Sequence, residues 1–285
     1  MERGGVSWYY EYRRLFDLCS EQKLQSVASI ATSSFSDLAK DWSVERNSDW
    51  TCRMYFATKL ILNATVLVNS IRFARRKGLK AAIPYFEYYA LLSLLRCVVL
   101  TAPLAQWTLN GLISISHAKA INLGADLLSN FGAESGENLK VVAKKLKAQR
   151  ELISYRVPAS GDYNVDQDHD LLEWLMVLAE IAQFNSELLE RAVTKHASDE
   201  MFVVLDQDID SIATIELEGY KFLDRDDHYR LSYVKRKTCR PYNLALFMHK
   251  GQTEDFFAAW DLDDEGEDTF SNGPPSNWQS IFDIP

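Results

Sequence analysis

Five basic residues lie close together between positions 140 and 150 and are the first candidates for chemistry in this chain of 285 residues. They are Lys140, Lys144, Lys145, Lys147 and Arg150. Leu139 and Leu146 fall among them at helical spacing, which predicts a helix with an apolar side and a cationic face. A cationic face suits a polyanion, because a phosphate backbone releases bound counterions when lysines and arginines neutralise it. The pattern therefore predicts an RNA-binding surface on this helix.

A histidine stands at the expected start of another helix. Ser116 is a residue type that caps helix N-termini, so His117 would lie at the positive end of a helix dipole. A neutral imidazole is favoured there, a phosphate can bind there, and Lys119 adds positive charge. His117 and Lys119 therefore join the predicted RNA-binding residues. A second interpretation stays open, in which His117 is a helix-start residue packed against Tyr88 or Tyr89.

The charges are divided unevenly along the chain. Through Ser160 there are 21 Lys and Arg against 13 Asp and Glu, or +8, and from Gly161 onward there are 10 against 27, or −17; the two sum to the net −9. We expect the two parts to attract each other. The acidic part can cover the basic part or present itself to another protein, and a third interpretation is that solvated helix faces simply differ in sign.

Common catalytic and metal-binding motifs are missing from the sequence. We find no P-loop, no dinucleotide-binding G-x-G-x-x-G after a strand, no G-x-S-x-G elbow and no H-E-x-x-H helix. The acidic run at 261–266 resembles the start of a calcium loop, but Asn272 stands where a bidentate Glu is required. The charged segment at 223–230 fits a hairpin tip. We predict no metal site and no cofactor.

The expected location is the cytoplasm. The four cysteines contain no C-x-x-C pair and predict neither a disulfide framework nor a clustered metal site. The N-terminus lacks the basic-then-apolar layout of a secretory signal. The longest apolar stretch, 85–115, contains Glu87 and Arg96, which a membrane span would have to bury. We therefore expect this stretch to form a core helix and a turn, with no membrane contact.

Apolar spacing predicts a mainly α fold, an up-and-down helical bundle with a small C-terminal β-containing appendage. The expected parts are an N-terminal helical extension (1–50), the bundle (51–200), the appendage (201–260) and an acidic tail (261–285). Helices are predicted over 51–76, 81–100, 116–130, 137–155 and from 170 to about 197, and β-favouring runs at 202–205, 213–215 and 229–234. Whether the Ser-rich stretch at 26–36 is helix or linker stays open. The tail keeps Trp278, Ile281 and Phe282 as anchors and is expected to fold back or bind a partner.

Two stretches of the bundle resemble a known family. The segment Ala82-Ile83-Pro84-Tyr85-Phe86-Glu87-Tyr88-Tyr89-Ala90, followed by Ser116-His117-Ala118-Lys119 at the next helix start, is similar to HEPN domains (higher eukaryotes and prokaryotes nucleotide-binding) over about residues 50–200. The resemblance implies a bundle of four or five helices, often dimeric. Such domains occur in RNA-cleaving toxins, in phage-defence effectors and as non-catalytic partners of nucleotidyltransferases.

The resemblance also implies a catalytic pair, Arg191 and His196. Catalytic family members carry an Arg, usually followed by a polar residue, with four to six residues between it and a His. Here four residues intervene, and Ala192 departs from the pattern. The implied chemistry is metal-independent RNA cleavage, in which His196 moves protons around the 2′-hydroxyl and Arg191 stabilises the charged phosphate. On an ideal helix the two residues point about 140° apart, so a shared site would need a helix end between them or a dimer. Both residues also complement the helix dipole without any catalytic role.

The sequence as a whole predicts an RNA-binding, HEPN-like protein, with a metal-independent ribonuclease of the toxin or antiviral-defence type as its enzymatic form. The alternative is a non-catalytic scaffold whose acidic C-terminal part docks a protein partner or masks its own basic face. In either case a protein partner or self-association is expected.

Overall fold

The computed structural model describes residues 2–3, 6–104, 108–163, 165, 170–237, 239–248, 252–260 and 280–282. Twelve α-helices lie within these residues: α1 (Arg13–Leu18), α2 (Glu21–Lys40), α3 (Val44–Lys77), α4 (Ile83–Thr101), α5 (Leu109–Ile113), α6 (His117–Ser129), α7 (Ala133–Glu151), α8 (Leu171–His196), α9 (Asp206–Ala213), α10 (Arg225–Lys237), α11 (Leu244–Met248) and α12 (Gln252–Ala258). The strands are β1 (Glu2–Arg3), β2 (Val6–Ser7), β3 (Thr214–Leu217) and β4 (Tyr220–Leu223). β1 pairs with β2 and β3 with β4, both antiparallel. The predicted mainly α bundle with a small β-containing appendage is confirmed.

Helix α4 is the centre of the bundle, with α3, α6, α7 and α8 packed around it. Its sequence is apolar on nearly every side, and a helix of that kind must be enclosed by others to remove its surface from water. Leu91, Leu94, Cys97 and Val98 are at most 1% exposed. Pro84 lies in the first turn, where its missing N–H leaves no helical bond unmade. The position of α4 fixes Tyr88, Tyr89 and Arg96 against the neighbouring helices.

The long helix α3 begins earlier than predicted and ends where predicted. Ser43 caps its N-terminus by accepting a hydrogen bond from the Arg46 N–H at 3.2 Å. Gly78 ends it in the left-handed conformation, with φ of 69°, which glycine adopts without a Cβ clash. The helix therefore runs through residue 50, where we expected the N-terminal extension to end. The Ser-rich stretch at 26–36 is helical, as part of α2.

Helix α8 holds the N-terminal arm through two buried glutamates. The Glu180 carboxylate accepts the backbone N–H groups of Arg13, Arg14 and Leu15 at 2.9–3.1 Å and thereby caps α1, to which Tyr12 supplies no side-chain cap. The Glu187 carboxylate accepts the Tyr12 hydroxyl at 2.7 Å. These contacts join residues more than 160 positions apart, and no local pattern in the sequence predicted them.

The appendage differs from the prediction in two places. Residues 229–234, predicted to be β, belong to α10, and residues 202–205 form no strand. The prediction of a strand at 229–234 was wrong because the buried residues of this segment recur at helical spacing. These residues are Asp227, Leu231 and Val234, while Tyr229 and Tyr233 are exposed. Asp224 precedes the helix and accepts the N–H groups of Asp226 and Asp227, as an N-cap does. The one predicted β run that is confirmed begins β3 at Thr214.

The oppositely charged parts of the chain contact each other in the bundle. Arg14 pairs with Glu173 at 3.1 Å, Lys80 pairs with Asp162 at 3.1 Å, and Lys59 pairs with the buried Asp227. The end of the tail also returns to the body. Ile281 and Phe282 are 3% and 1% exposed, and the Phe282 ring stacks on Tyr10 with centroids 4.8 Å apart. The calcium-like run at 261–272 and Trp278 lie outside the described residues.

Two segments within the described residues, Val44–Lys77 and Lys80–Thr101, are long and apolar enough to cross a membrane by length and composition alone. Their mean hydropathies are 1.3 and 1.4, but 61% and 78% of the apolar windows are buried inside the bundle. Such burial is typical of core helices, so these segments are weak evidence for a membrane.

Candidate nucleic-acid interface

A cluster of aromatic and cationic side chains forms where α4, α6 and α7 meet. Tyr88 and Tyr89 come from α4, His117 from the start of α6 and Arg150 from the end of α7. The two tyrosine rings meet edge to face at 5.2 Å, and the His117 ring lies 5.8 Å from Tyr88 and 6.1 Å from Tyr89. The cluster joins two stretches of the HEPN-like resemblance to the last basic residue of α7.

The surroundings of His117 favour the neutral form of its imidazole. Burial lowers its pKa, and so do the positive charges of Arg96, Arg150 and Lys147. Its Nδ1 lies 2.9 Å from the Tyr88 hydroxyl. Burial raises the pKa of that phenol, so Tyr88 keeps its proton, and the hydroxyl either donates to Nδ1 or accepts from Nδ1–H according to the tautomer of the ring. The open interpretation that His117 packs against Tyr88 or Tyr89 is therefore correct as to contact, while Nε2 is left outside the hydrogen bond with Tyr88.

Arg150 lies over the two tyrosines. Its guanidinium carbon is 5.1 Å from the Tyr88 ring centroid and 5.9 Å from that of Tyr89, within the range of cation–π attraction. One nitrogen donates to the Tyr89 hydroxyl at 3.2 Å, and another pairs with Glu151 at 3.2 Å. The Nε of Arg150 is buried without a hydrogen-bond partner among the described residues. The side chain is thus fixed in place, with part of its donor capacity unused.

Arg96 is a member of the cluster that our sequence analysis missed. It lies on α4 and donates to the backbone carbonyl of Ile113, shortly before the Ser116 cap of α6. Burial lowers the pKa of its guanidinium. The sequence placed Arg96 in an apolar stretch, where it served only as an argument against a membrane span. Arg96 follows Tyr88 by eight residues, or slightly more than two helical turns, so the two side chains lie on neighbouring faces of α4. This spacing was the signal for Arg96 in the sequence.

The lysines of α7 extend the cluster along the helix. Lys140, Lys144 and Lys147 follow each other at intervals of four and three residues, so they share one side of α7, and Arg150 continues the row three residues later. Lys147 also lies 3.8 Å from Glu151. The row of four spans about 15 Å along the axis. Lys145 points to another side of α7, away from this row.

An exposed aromatic residue stands beyond the end of the row. Tyr155 lies in the π-helical turn Leu152–Arg156 that follows α7 and is 72% exposed. The neighbouring Ser154 hydroxyl fixes this turn by donating to the Tyr85 hydroxyl at 2.6 Å. Tyr89, whose hydroxyl accepts a hydrogen bond from Arg150, is 36% exposed. The row of cations therefore lies close to two accessible tyrosine rings. We name Tyr89, Tyr155, Arg150, Lys147, Lys144 and Lys140 the α7 face.

Lys119 lies in the first turn of α6 and is exposed. Its backbone N–H donates to the Ser116 hydroxyl at 3.3 Å, which confirms Ser116 as the cap that the sequence predicted. His117 and Lys119 are therefore at the positive end of α6, as expected.

The structure places Arg191 and His196 on one continuous helix. Arg191 pairs with Glu187 at 2.5 Å, and its guanidinium lies 4.7 Å from the Trp8 ring centroid. These contacts connect Arg191 to the N-terminal arm. His196 is exposed in the last turn of α8. Because α8 stays helical through His196, the separation of about 140° between the two side chains holds within one chain.

The charged segment at 223–230, expected at a hairpin tip, instead spans the end of β4 and the first turns of α10, and it forms structural contacts. Asp224 caps α10, and Asp227 accepts the Tyr55 hydroxyl at 2.6 Å beside Lys59. Among the residues that the structure describes, no group of three or more His, Cys, Asp or Glu side chains is arranged to hold a metal ion.

Comparison with protein-family models, with curated proteins and with solved structures finds no match to this chain.

Proposed function

We propose that this protein binds single-stranded RNA across the α7 face. The observation that carries the proposal is the row Lys140, Lys144, Lys147 and Arg150 beside Tyr89 and Tyr155. Proteins that hold single strands combine cations that follow the phosphate backbone with aromatic rings on which bases stack. The α7 face supplies both, since its cations lie on α7, Tyr155 lies in the turn after α7, and Tyr89 lies on the adjacent helix α4.

The electrostatic surroundings of His117 support an anion at this place. Burial lowers its pKa most, and the positive charges of Arg96, Arg150 and Lys147 lower it further. These three cations surround the ring although the whole chain carries a net charge of −9. A phosphate would offset their charge and raise the ability of His117 to take up a proton. Binding and protonation are then linked, and RNA should bind more tightly as the pH falls toward 6.

We propose RNA rather than DNA as the ligand because of the HEPN-like resemblance, not because of a particular contact in the structure. Cleavage remains a separate hypothesis, since Arg191 is engaged by Glu187 and Trp8 and His196 stands on another side of α8. We expect cleavage, if it is present, to proceed in chelator and to be abolished by His196→Ala without loss of RNA binding.

Fluorescence anisotropy with a labelled oligouridine tests the binding site. The triple variant Lys140→Gln, Lys144→Gln, Lys147→Gln should weaken binding and reduce the slope of log K against log salt by about 2, at about 0.7 per lost contact. The matched control is Arg225→Gln, Arg236→Gln, Lys237→Gln, which removes the same charge from exposed residues of α10. Equal losses in the two triple variants would show that only net charge matters and would overturn the proposed site.

A second pair of variants tests stacking. Tyr155→Ala should weaken oligouridine binding about 5- to 150-fold, the range expected for one lost base–aromatic contact. Tyr229→Ala removes a ring of similar exposure, 67% against 72%, from α10 and should change nothing. An oligodeoxyuridine of the same length shows whether the site prefers RNA.

We infer as a second candidate a non-catalytic scaffold whose acidic part restrains its basic part. The ion pairs of Arg14, Lys59 and Lys80 with Glu173, Asp227 and Asp162 favour it, because they already join the two parts. The acidic part could mask the basic part of the same chain or dock a protein partner, and neutralising the six carboxylates at 261–268 distinguishes these two roles. Self-masking predicts tighter RNA binding after this change, whereas a partner-docking tail predicts unchanged RNA binding.

A further inference from the structure

The β3–β4 hairpin carries a wholly apolar face that the bundle does not cover. The register pairs Ile215 with Phe222 and Leu217 with Tyr220, and side chains alternate between the two faces of a strand. These four residues therefore share one face, on which they are 41%, 55%, 60% and 71% exposed respectively. The other face holds Thr214, Glu216, Lys221 and Leu223.

The backbone of the hairpin is well specified although its side chains are exposed. Glu218 and Gly219 form the turn with φ of 52° and 80°, the two positive values that a type I′ hairpin turn requires. The Asp224 N–H donates to the Ala213 carbonyl at 2.8 Å and closes the base. An isolated two-stranded hairpin is marginally stable in water unless it packs against something. The turn and base thus hold in place a surface that lacks a packing partner among the described residues.

We propose that this apolar face is the contact surface between two copies of the chain, packed face to face about a two-fold axis. A two-fold contact uses the same patch on both copies, so the patch must tolerate meeting itself. The four side chains are uncharged, and Glu216 lies directly opposite Lys221 on the other face. Two copies therefore bring together apolar groups without placing like charges against each other, although each chain carries a net charge of −9.

The area agrees with a contact of this kind. Large side chains present about 150–250 Å² each, so the observed exposures correspond to roughly 500 Å² of apolar surface per copy. Two copies would bury roughly 1,000 Å², the lower limit for a specific interface. We therefore expect a dimer that dissociates on dilution. The four-residue face carries no cation, so this proposal is independent of the RNA-binding α7 face.

The hairpin offers a matched pair of variants. Leu217 and Leu223 are both 60% exposed and lie on opposite faces of the same two strands. Sedimentation velocity over a dilution series should show a dimer for the native chain and the same association constant for Leu223→Glu. Leu217→Glu should associate at least tenfold more weakly, because its carboxylate would be buried without a partner. Circular dichroism and a urea midpoint establish that each variant is folded.

Several results would overturn the proposal. They are a native chain that stays monomeric up to about 100 µM, a dimer that both variants leave intact, and equal weakening by the two variants. Hydrogen exchange of the native chain gives a readout that needs no variant. We expect hairpin amides to be protected at high concentration and to exchange rapidly on dilution. Protection that is independent of concentration would mean that another part of the same chain covers the face, and would also overturn the proposal.

Discussion

Replacing Lys59 by methionine tests one of the interactions that join the appendage to the bundle. Lys59 and Tyr55 lie one turn apart on α3, and both contact Asp227 of α10, whose side chain is 5% exposed. Burial raises the pKa of Asp227, and the lysine charge and the tyrosine hydroxyl oppose that rise. Methionine keeps the length and apolar stem of the lysine but removes its charge.

The structure sets an upper limit on the loss of stability. Without Lys59 the buried carboxyl avoids an unpaired charge by keeping its proton. At pH 7, keeping the Asp227 carboxyl protonated costs the folded variant about 1.4 kcal/mol for each of the roughly 3 pH units above the ordinary aspartate pKa of 3.8. The free energy of unfolding therefore falls by about 4 kcal/mol at most. The pKa of Asp227 is then higher in the variant than in the native chain, so the deficit grows as the pH rises. At pH 5 the same limit is about 1.5 kcal/mol.

Urea unfolding followed by tryptophan fluorescence measures this difference. We expect Lys59→Met to lose about 2–4 kcal/mol at pH 7 and clearly less at pH 5. The double variant Lys59→Met, Asp227→Asn should recover most of the loss at pH 7, because no buried charge remains. A loss that is equal at both pH values, or a double variant no more stable than the single one, would refute the reasoning.

Three further predictions concern stability. Glu180→Ala removes the acceptor for the N–H groups of Arg13, Arg14 and Leu15 and should cost about 2–4 kcal/mol, seen as a fall in Tm of roughly 5–10 °C. The pKa of His117 is lower in the folded chain than its ordinary value of 6.5, so the unfolded chain takes up the proton first and the folded state loses stability as the pH falls below 6.5. His117→Asn should therefore make the urea midpoint less dependent on pH between 7.5 and 5.5. Phe282→Ala removes a buried ring stacked on Tyr10 and should cost about 3 kcal/mol by chemical unfolding.

Local patterns predicted the five main helices of the bundle, α3, α4, α6, α7 and α8, because each of them shows its own apolar spacing. The predicted helix at 116–130 is α6 within one residue at each end, and Ser116 is its cap. The helix predicted from 170 ends at His196, within one residue of its predicted end at about 197. Tyr229–Val234 was misjudged because β-branched and aromatic residues favour strands, whereas burial of Leu231 and Val234 at helical spacing decided the outcome.

The candidate site was predicted only in part. The basic residues of α7 and the capped start of α6 follow from local spacing, but their meeting with Tyr88 and Tyr89 depends on how α4 packs. The contacts of Arg191 with Glu187 and Trp8 depend on an N-terminal arm that crosses α8. Pairings of this kind are set by tertiary packing, which a single sequence does not display.

Photo-crosslinking with a 4-thiouridine-labelled RNA oligonucleotide, followed by mass spectrometry of the crosslinked peptides, tests the proposed RNA-binding face most directly. The account predicts crosslinks at Tyr89, at Tyr155 and along residues 140–150, all of them lost in the triple lysine variant. Crosslinks concentrated on α10 or on the N-terminal arm, or none at all at low salt, would contradict it.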